Sequence, residues 1–183
     1  MSTPSDRFRR VAADFTRVVG AVPDDAWDAP APPEGWRARD VVGHLAEWFS
    51  GLFFATWGDP APPLPSVEDD PAGTWAALRD AVQAVLDDPD RADVVREIPP
   101  GPMTRAEAID RLGSSDIVMH QWDLARATGG DERLDPAEVH ALLAEMEPLD
   151  EVLRSSGHYG PRVEVAADAD EQTRLIAFIG RQP

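Results

Sequence analysis

Apolar residues recur at three-and-four spacing in four long segments of the chain, a period that predicts helices. From Pro4 to Val19 the inward set is Phe8, Val11, Ala12, Phe15, Val18 and Val19, with Gly20 as the expected stop. Between Arg37 and Trp57, Val41, Leu45, Trp48 and Leu52 form a stripe, which Val42, Phe49 and Phe53 widen to the breadth of a helix packed on two neighbours. Thr74 to Leu86 turns Trp75, Leu78, Ala81, Val82 and Val85 inward. The last long segment opens on the capping-box pattern Thr104-Arg105-Ala106-Glu107, runs to Thr128 and stops at Gly129 and Gly130. The expected architecture is an all-α four-helix bundle with helices near 4–19, 37–57, 73–87 and 104–128 and additional short C-terminal helices. We read residues 1–183 as one domain, with the bundle core at about 4–128 and an extension at about 135–183.

Between these segments the pattern breaks. Gly58 to Pro71 is dense in proline and acid and is expected to be a solvated connector rather than a lid. Asp87 to Met103 is a second connector, in which Val94, Val95 and Ile98 suggest a short extended piece. Pro136 to Val152 predicts a further helix with Asp135 as its N-cap, Val139, Leu142, Leu143, Met146 and Leu149 inward, and Pro148 breaking its final turn. An alternating Val163, Val165 run and a short helix from Asp170 to Ile179 complete the chain.

Polar residues interrupt the apolar face of the last long segment. At about 100° per residue, Ile109, Leu112, Asp116, His120, Leu124 and Ala127 share one stripe, so a carboxylate and an imidazole project side by side where a core would place Leu or Val. Burying a bare carboxylate costs several kcal/mol unless it is paired or coordinated. An Asp–His hydrogen bond and a pair of metal ligands both satisfy that requirement. His44, on the edge of the second segment's stripe, tips the balance: facing Asp116 and His120 it would complete three N/O ligands with an open fourth position, the arrangement of catalytic zinc. Asp123, one turn past His120, either accepts that imidazole's second N–H or pairs with Arg126. Glu47 falls on the polar side, His140 reads as a surface residue, and Trp48, Trp75 and Trp122 read as packing.

Composition narrows the chemistry. A net charge of −17, with 17 arginines, no lysine and 34 acidic residues, would repel a phosphate backbone, which argues against nucleic-acid binding. No apolar run is long enough to span a bilayer and no signal peptide is evident, so a cytoplasmic protein is expected. There is no cysteine, so any thiol chemistry must use a small-molecule thiol.

Two motifs carry a family resemblance. GWRARDVVGHLAEW, from Gly35 to Trp48, resembles the opening of the DinB-like metal-binding bundles. SDIVMHQWDLARATG, from Ser115 to Gly129, is similar to the signature of their actinobacterial branch, related to the mycothiol-dependent maleylpyruvate isomerase N-terminal domain. The resemblance implies a DinB-like fold with His44, Asp116 and His120 as ligands of a divalent metal, zinc or alternatively nickel. Asp116 stands where the isomerase has Glu, one methylene longer. The function implied is a metal-dependent enzyme acting on an electrophilic substrate with mycothiol as cosubstrate, by transfer or isomerisation. A metal-dependent hydrolase and a non-catalytic metal- or ligand-binding bundle remain the alternatives. The resemblance also places the turn holding His158 and Tyr159 near the active-site end. A homodimer is a further open expectation, although no exposed helix face suggests one.

Overall fold

In the computed structural model, which describes residues 2–99, 101–155 and 159–183, all four periodic segments are helical. Helix α1 (Pro4–Ala21) is capped by Thr3 in a reciprocal box with Asp6, and it runs through Gly20 to end ahead of Pro23. Gly20 is therefore not the stop expected of it: its φ is not left-handed, and the chain turns one residue later. Helix α2 (Ala38–Phe49) continues through a π-helical turn (Ser50–Phe54) and a 3-10 turn (Ala55–Trp57) until Gly58, at φ +81°, terminates it. Arg37 provides no side-chain cap there, but Asp40 reaches back to accept the Arg37 backbone N–H at 2.7 Å. Helix α3 (Pro71–Leu86) begins with Pro71 behind the Asp70 cap.

The second connector holds more structure than its periodicity implied. A short helix α4 (Pro89–Ala92) leads into an antiparallel hairpin, β1 (Val95–Ile98) with β2 (Gly101–Thr104), registered Val95 opposite Thr104 and Ile98 opposite Gly101. Thr104 then caps helix α5 (Arg105–Ala108) through the expected box with Glu107. A second π-helical turn (Ile109–Ser114) joins α5 to helix α6 (Ser115–Thr128), which ends at Gly129 with φ +68°. The single stripe drawn from Ile109 to Ala127 is therefore re-phased at its start, because a π turn adds a residue to the helical repeat.

Helix α1 packs on α3 and α6, and α2 packs on the same two, so the four helices close as a bundle. This is the expected all-α, DinB-like fold. After it come α7 (Pro136–Met146), a 3-10 turn at Pro148, α8 (Asp150–Ser155) and α9 (Glu171–Phe178). Leu149, expected inward, is 46% exposed because Pro148 breaks the helix before that position. The Val163, Val165 run forms no strand: only the Val163 N–H finds a backbone partner, the Ala177 carbonyl. One apolar core extends from Phe8 to Ile179, so α7 and α9 are part of the packed body. Glu138, nearly buried on α7, is held by Arg7 and Arg10 of α1 at 2.7 and 3.3 Å. Among the described residues no helix is long and apolar enough to cross a membrane.

Candidate metal centre

Where α2 faces α6, the three polar residues of the motifs meet. Asp116 and His120 lie one turn apart on α6, and His44 comes from the middle of α2. One ligand atom from each lies within 4.8 Å of the others, a group that could hold a metal ion. His44 Nε2 is 3.3 Å from Asp116 Oδ2, and His120 Nε2 is 3.6 Å from Asp116 Oδ1. Ligands about 2.1 Å from a tetrahedral ion stand roughly 3.4 Å apart, close to both of these spacings, which run to the two different oxygens of Asp116.

The carboxylate supplies an independent test of that fit. Among the described residues the buried Asp116 Oδ2 has no hydrogen-bond partner, although the His44 nitrogen lies 3.3 Å away. Buried acceptors are nearly always satisfied, and an orphaned carboxylate oxygen costs about 1–3 kcal/mol or more. A cation between the three groups would satisfy it, so the donor set fits a divalent metal that accepts nitrogen and oxygen.

Behind the cluster stands a charged relay. His120 Nδ1 lies 3.0 Å from Asp123 Oδ2, and Asp123, with no exposed surface, also accepts from Arg181 Nε at 3.0 Å. Burial pushes the Asp123 carboxyl up, but the His120 hydrogen bond and Arg181 outweigh it and hold the group below its ordinary range. Burial likewise pulls the His120 imidazole down, yet neighbouring Asp116 and the bond to Asp123 raise it overall. An ionised Asp123 can only accept, so Nδ1 carries the proton and Nε2 faces Asp116. Of the two roles open to Asp123 in the sequence, the structure selects the bond to His120; Arg126 pairs with Glu132 and lies over the Trp122 ring.

Tryptophan contributes more than packing alone. Trp36 stacks on His120 with ring centres 5.7 Å apart and lies 5.1 Å from His44, and Trp48 stacks on His44 at 6.2 Å. Trp36 reaches that position from a tight loop in which Gly35 has φ +79° and the Trp36 carbonyl accepts from Ala31. Sequence reasoning passed over Trp36 as a site residue; the usable signal was a Pro33-Glu34-Gly35 turn placing an aromatic two residues before the helix. Trp75 is a packing residue, buried against Phe15 with its N–H on Thr16.

The remaining candidates separate cleanly. Glu47 and His140 are exposed, and His140 pairs with Glu171 at 2.9 Å. Tyr159 is half-buried against the core, and burial together with the Asp116 charge pushes its phenol up to about 12. His158 lies outside the described residues. A cavity of about 310 Å³ between α1 and α3, lined by Arg9, Thr16, Arg79 and Gln83, is remote from these groups and contains no histidine.

Two uncharacterized proteins of Mycobacterium tuberculosis, from strains CDC 1551 and H37Rv, are each 22% identical to this chain over 97% of both lengths. No solved structure matches the chain significantly. The profile of the mycothiol maleylpyruvate isomerase N-terminal domain matches residues 8–125, a span that carries His44, Asp116, His120 and Asp123. The chain belongs to the mycothiol maleylpyruvate isomerase N-terminal domain family.

Proposed function

We propose that the protein is a metal-dependent enzyme of small-thiol chemistry, a mycothiol-type transferase or isomerase, with His44, Asp116 and His120 holding the metal. Zinc is the favoured ion because two imidazoles and a carboxylate with an open position are a catalytic zinc set; nickel is the alternative. The observation that carries this reading is the unpartnered Asp116 Oδ2 within 3.3 Å of the His44 nitrogen. A bound divalent cation lowers the pKa of a thiol or water beside it, supplying a nucleophile near neutral pH. The chain has no cysteine, so that thiol is a cosubstrate.

The chain's own residues prepare the reaction. Asp123 keeps the His120 proton on Nδ1 and leaves the Nε2 lone pair for the metal. Trp36 and Trp48 wall the two imidazoles and limit water at the site. The Tyr159 phenol, with its pKa near 12, stays protonated at neutral pH and can donate to an anionic group of the electrophilic substrate. Metal analysis of the purified protein, followed by mycothiol-consumption assays with a panel of electrophiles, tests this reading. Stoichiometric zinc or nickel and turnover abolished by chelation are expected. Bound metal without turnover favours a binding module; product formed without thiol consumption is isomerisation where added thiol is required and hydrolysis where it is not.

A further inference from the structure

Residues beyond the family-matched span reach the metal centre. Helix α9 ends at Phe178, and Gly180 turns the chain with φ +83°, a conformation that disfavours any side chain. Its backbone crosses Gly160 so closely that a Cβ on Gly180 would meet Gly160 backbone atoms at 3.1 Å. Arg154 fastens the crossing by donating to the carbonyls of Gly160 and Phe178. The residues beside this crossing are Tyr159 and Arg181. Arg181 returns to α6, where Nε donates to Asp123 Oδ1 at 3.0 Å and Nη2 to Oδ2 at 3.3 Å.

We propose that Arg181 is a positioning residue of the metal centre: by gripping both oxygens of Asp123 it fixes the His120 ring with Nε2 toward Asp116 and His44. The C-terminal segment thereby supports a site whose three proposed metal ligands lie on α2 and α6 of the bundle. Two parallel N–H···O bonds set the plane of a carboxylate, which one bond leaves free to turn. That plane in turn sets the direction from which Asp123 accepts the His120 Nδ1–H hydrogen bond. The inference rests on the metal reading above. A strap that merely tied α9 to α6 would influence folding and leave metal affinity alone.

Zinc affinity, measured by chelator competition on the full chain, separates these roles. Arg181→Gln should weaken zinc binding about 10-fold or more, the usual cost of losing a partner behind a metal ligand. Arg181→Lys, which keeps the charge but loses the fork, should lose less. Arg174→Gln, which breaks the ion pair of α9 with Glu147, should leave affinity unchanged. In an Asp123→Asn background, Arg181→Gln should cost nothing further, because its effect passes through Asp123. Wild-type affinity in Arg181→Gln, or an equal loss with and without Asp123, overturns the proposal. If Arg181→Gln does not fold, Arg181→Lys decides: a folded variant with weakened affinity supports it, and wild-type affinity overturns it. Failure of the wild-type protein to bind either zinc or nickel instead overturns the metal reading, and this inference with it.

Discussion

The same two helical runs meet at two polar clusters, and the clusters treat their carboxylates in opposite ways. Beyond the π turn of the α2 run, Asp59 Oδ2 accepts from Arg105 at 2.7 Å and from Arg91 at 2.8 Å. Arg105, only 2% exposed, also gives its Nε to the Phe53 carbonyl, and its guanidinium carbon lies 5.1 Å from the Phe54 ring centre. At the candidate metal centre Asp116 faces two imidazoles, and among the described residues its Oδ2 goes unpaired. As a strut, the Asp59 cluster brings its own countercharge, and the atom it leaves unpaired is a donor, Arg105 Nη2, rather than a carboxylate oxygen. Under the metal reading proposed above, the Asp116 cluster takes its countercharge from an outside cation.

The sharpest way to break this contrast is to remove a group from each side. His44→Ala should reduce zinc affinity on the order of 1,000-fold, about 4 kcal/mol, a third or so of what a structural zinc site gains from all its ligands. Asp116→Asn should lose affinity to a similar degree yet leave the metal-free protein as stable as wild type or more so, because an orphaned charge has gone. Chelator competition and urea unfolding of metal-free protein measure the two effects. A marked loss of metal-free stability in Asp116→Asn would show that the carboxylate belongs to the scaffold.

Arg105→Met reverses the pattern. It strands Asp59 on Arg91 alone and leaves the Phe53 carbonyl without its donor, so about 3 kcal/mol of unfolding free energy should be lost. Zinc affinity should change little. If affinity falls as steeply as it does for His44→Ala, the two clusters are not separable.

The long helices and the caps at Thr104, Asp135 and Gly129 were legible because amphipathic periodicity and capping residues are local signals, whereas the convergence of His44 with Asp116 and His120 was legible through the two motifs that carry the family resemblance. What escaped was set by contacts distant in sequence. Nothing near Arg181 announces a partner 58 residues away on α6. The two π turns were equally silent, for they arise where the helical runs press together: a Cβ on Gly113 would lie 3.0 Å from both Phe49 and Phe53. That contact yields the next prediction. Gly113→Ala must push two buried rings aside, with an overpacking cost of about 1–3 kcal/mol. Since Gly113 sits between the strut and the metal centre, the thermal midpoint should fall while zinc affinity drops only modestly. An unchanged midpoint would mean that the rings yield freely.

The smallest expected effect concerns acid. Hydrogen bonds from Arg91 and then Arg105 outweigh burial and hold the Asp59 carboxyl below its ordinary value of 3.8. A carboxyl group depressed in the folded state contributes stability that is fully present above its unfolded pKa and is lost as pH falls through the folded one. Asp59→Asn lacks that contribution at every pH. The stability gap between wild type and variant should therefore be constant near neutrality, begin to close as pH drops below about 4, and vanish once the folded carboxyl is protonated. Urea unfolding of metal-free protein across that range measures it. A gap that persists undiminished in acid would assign the Asp59 effect to packing and remove the charge from the description of the strut.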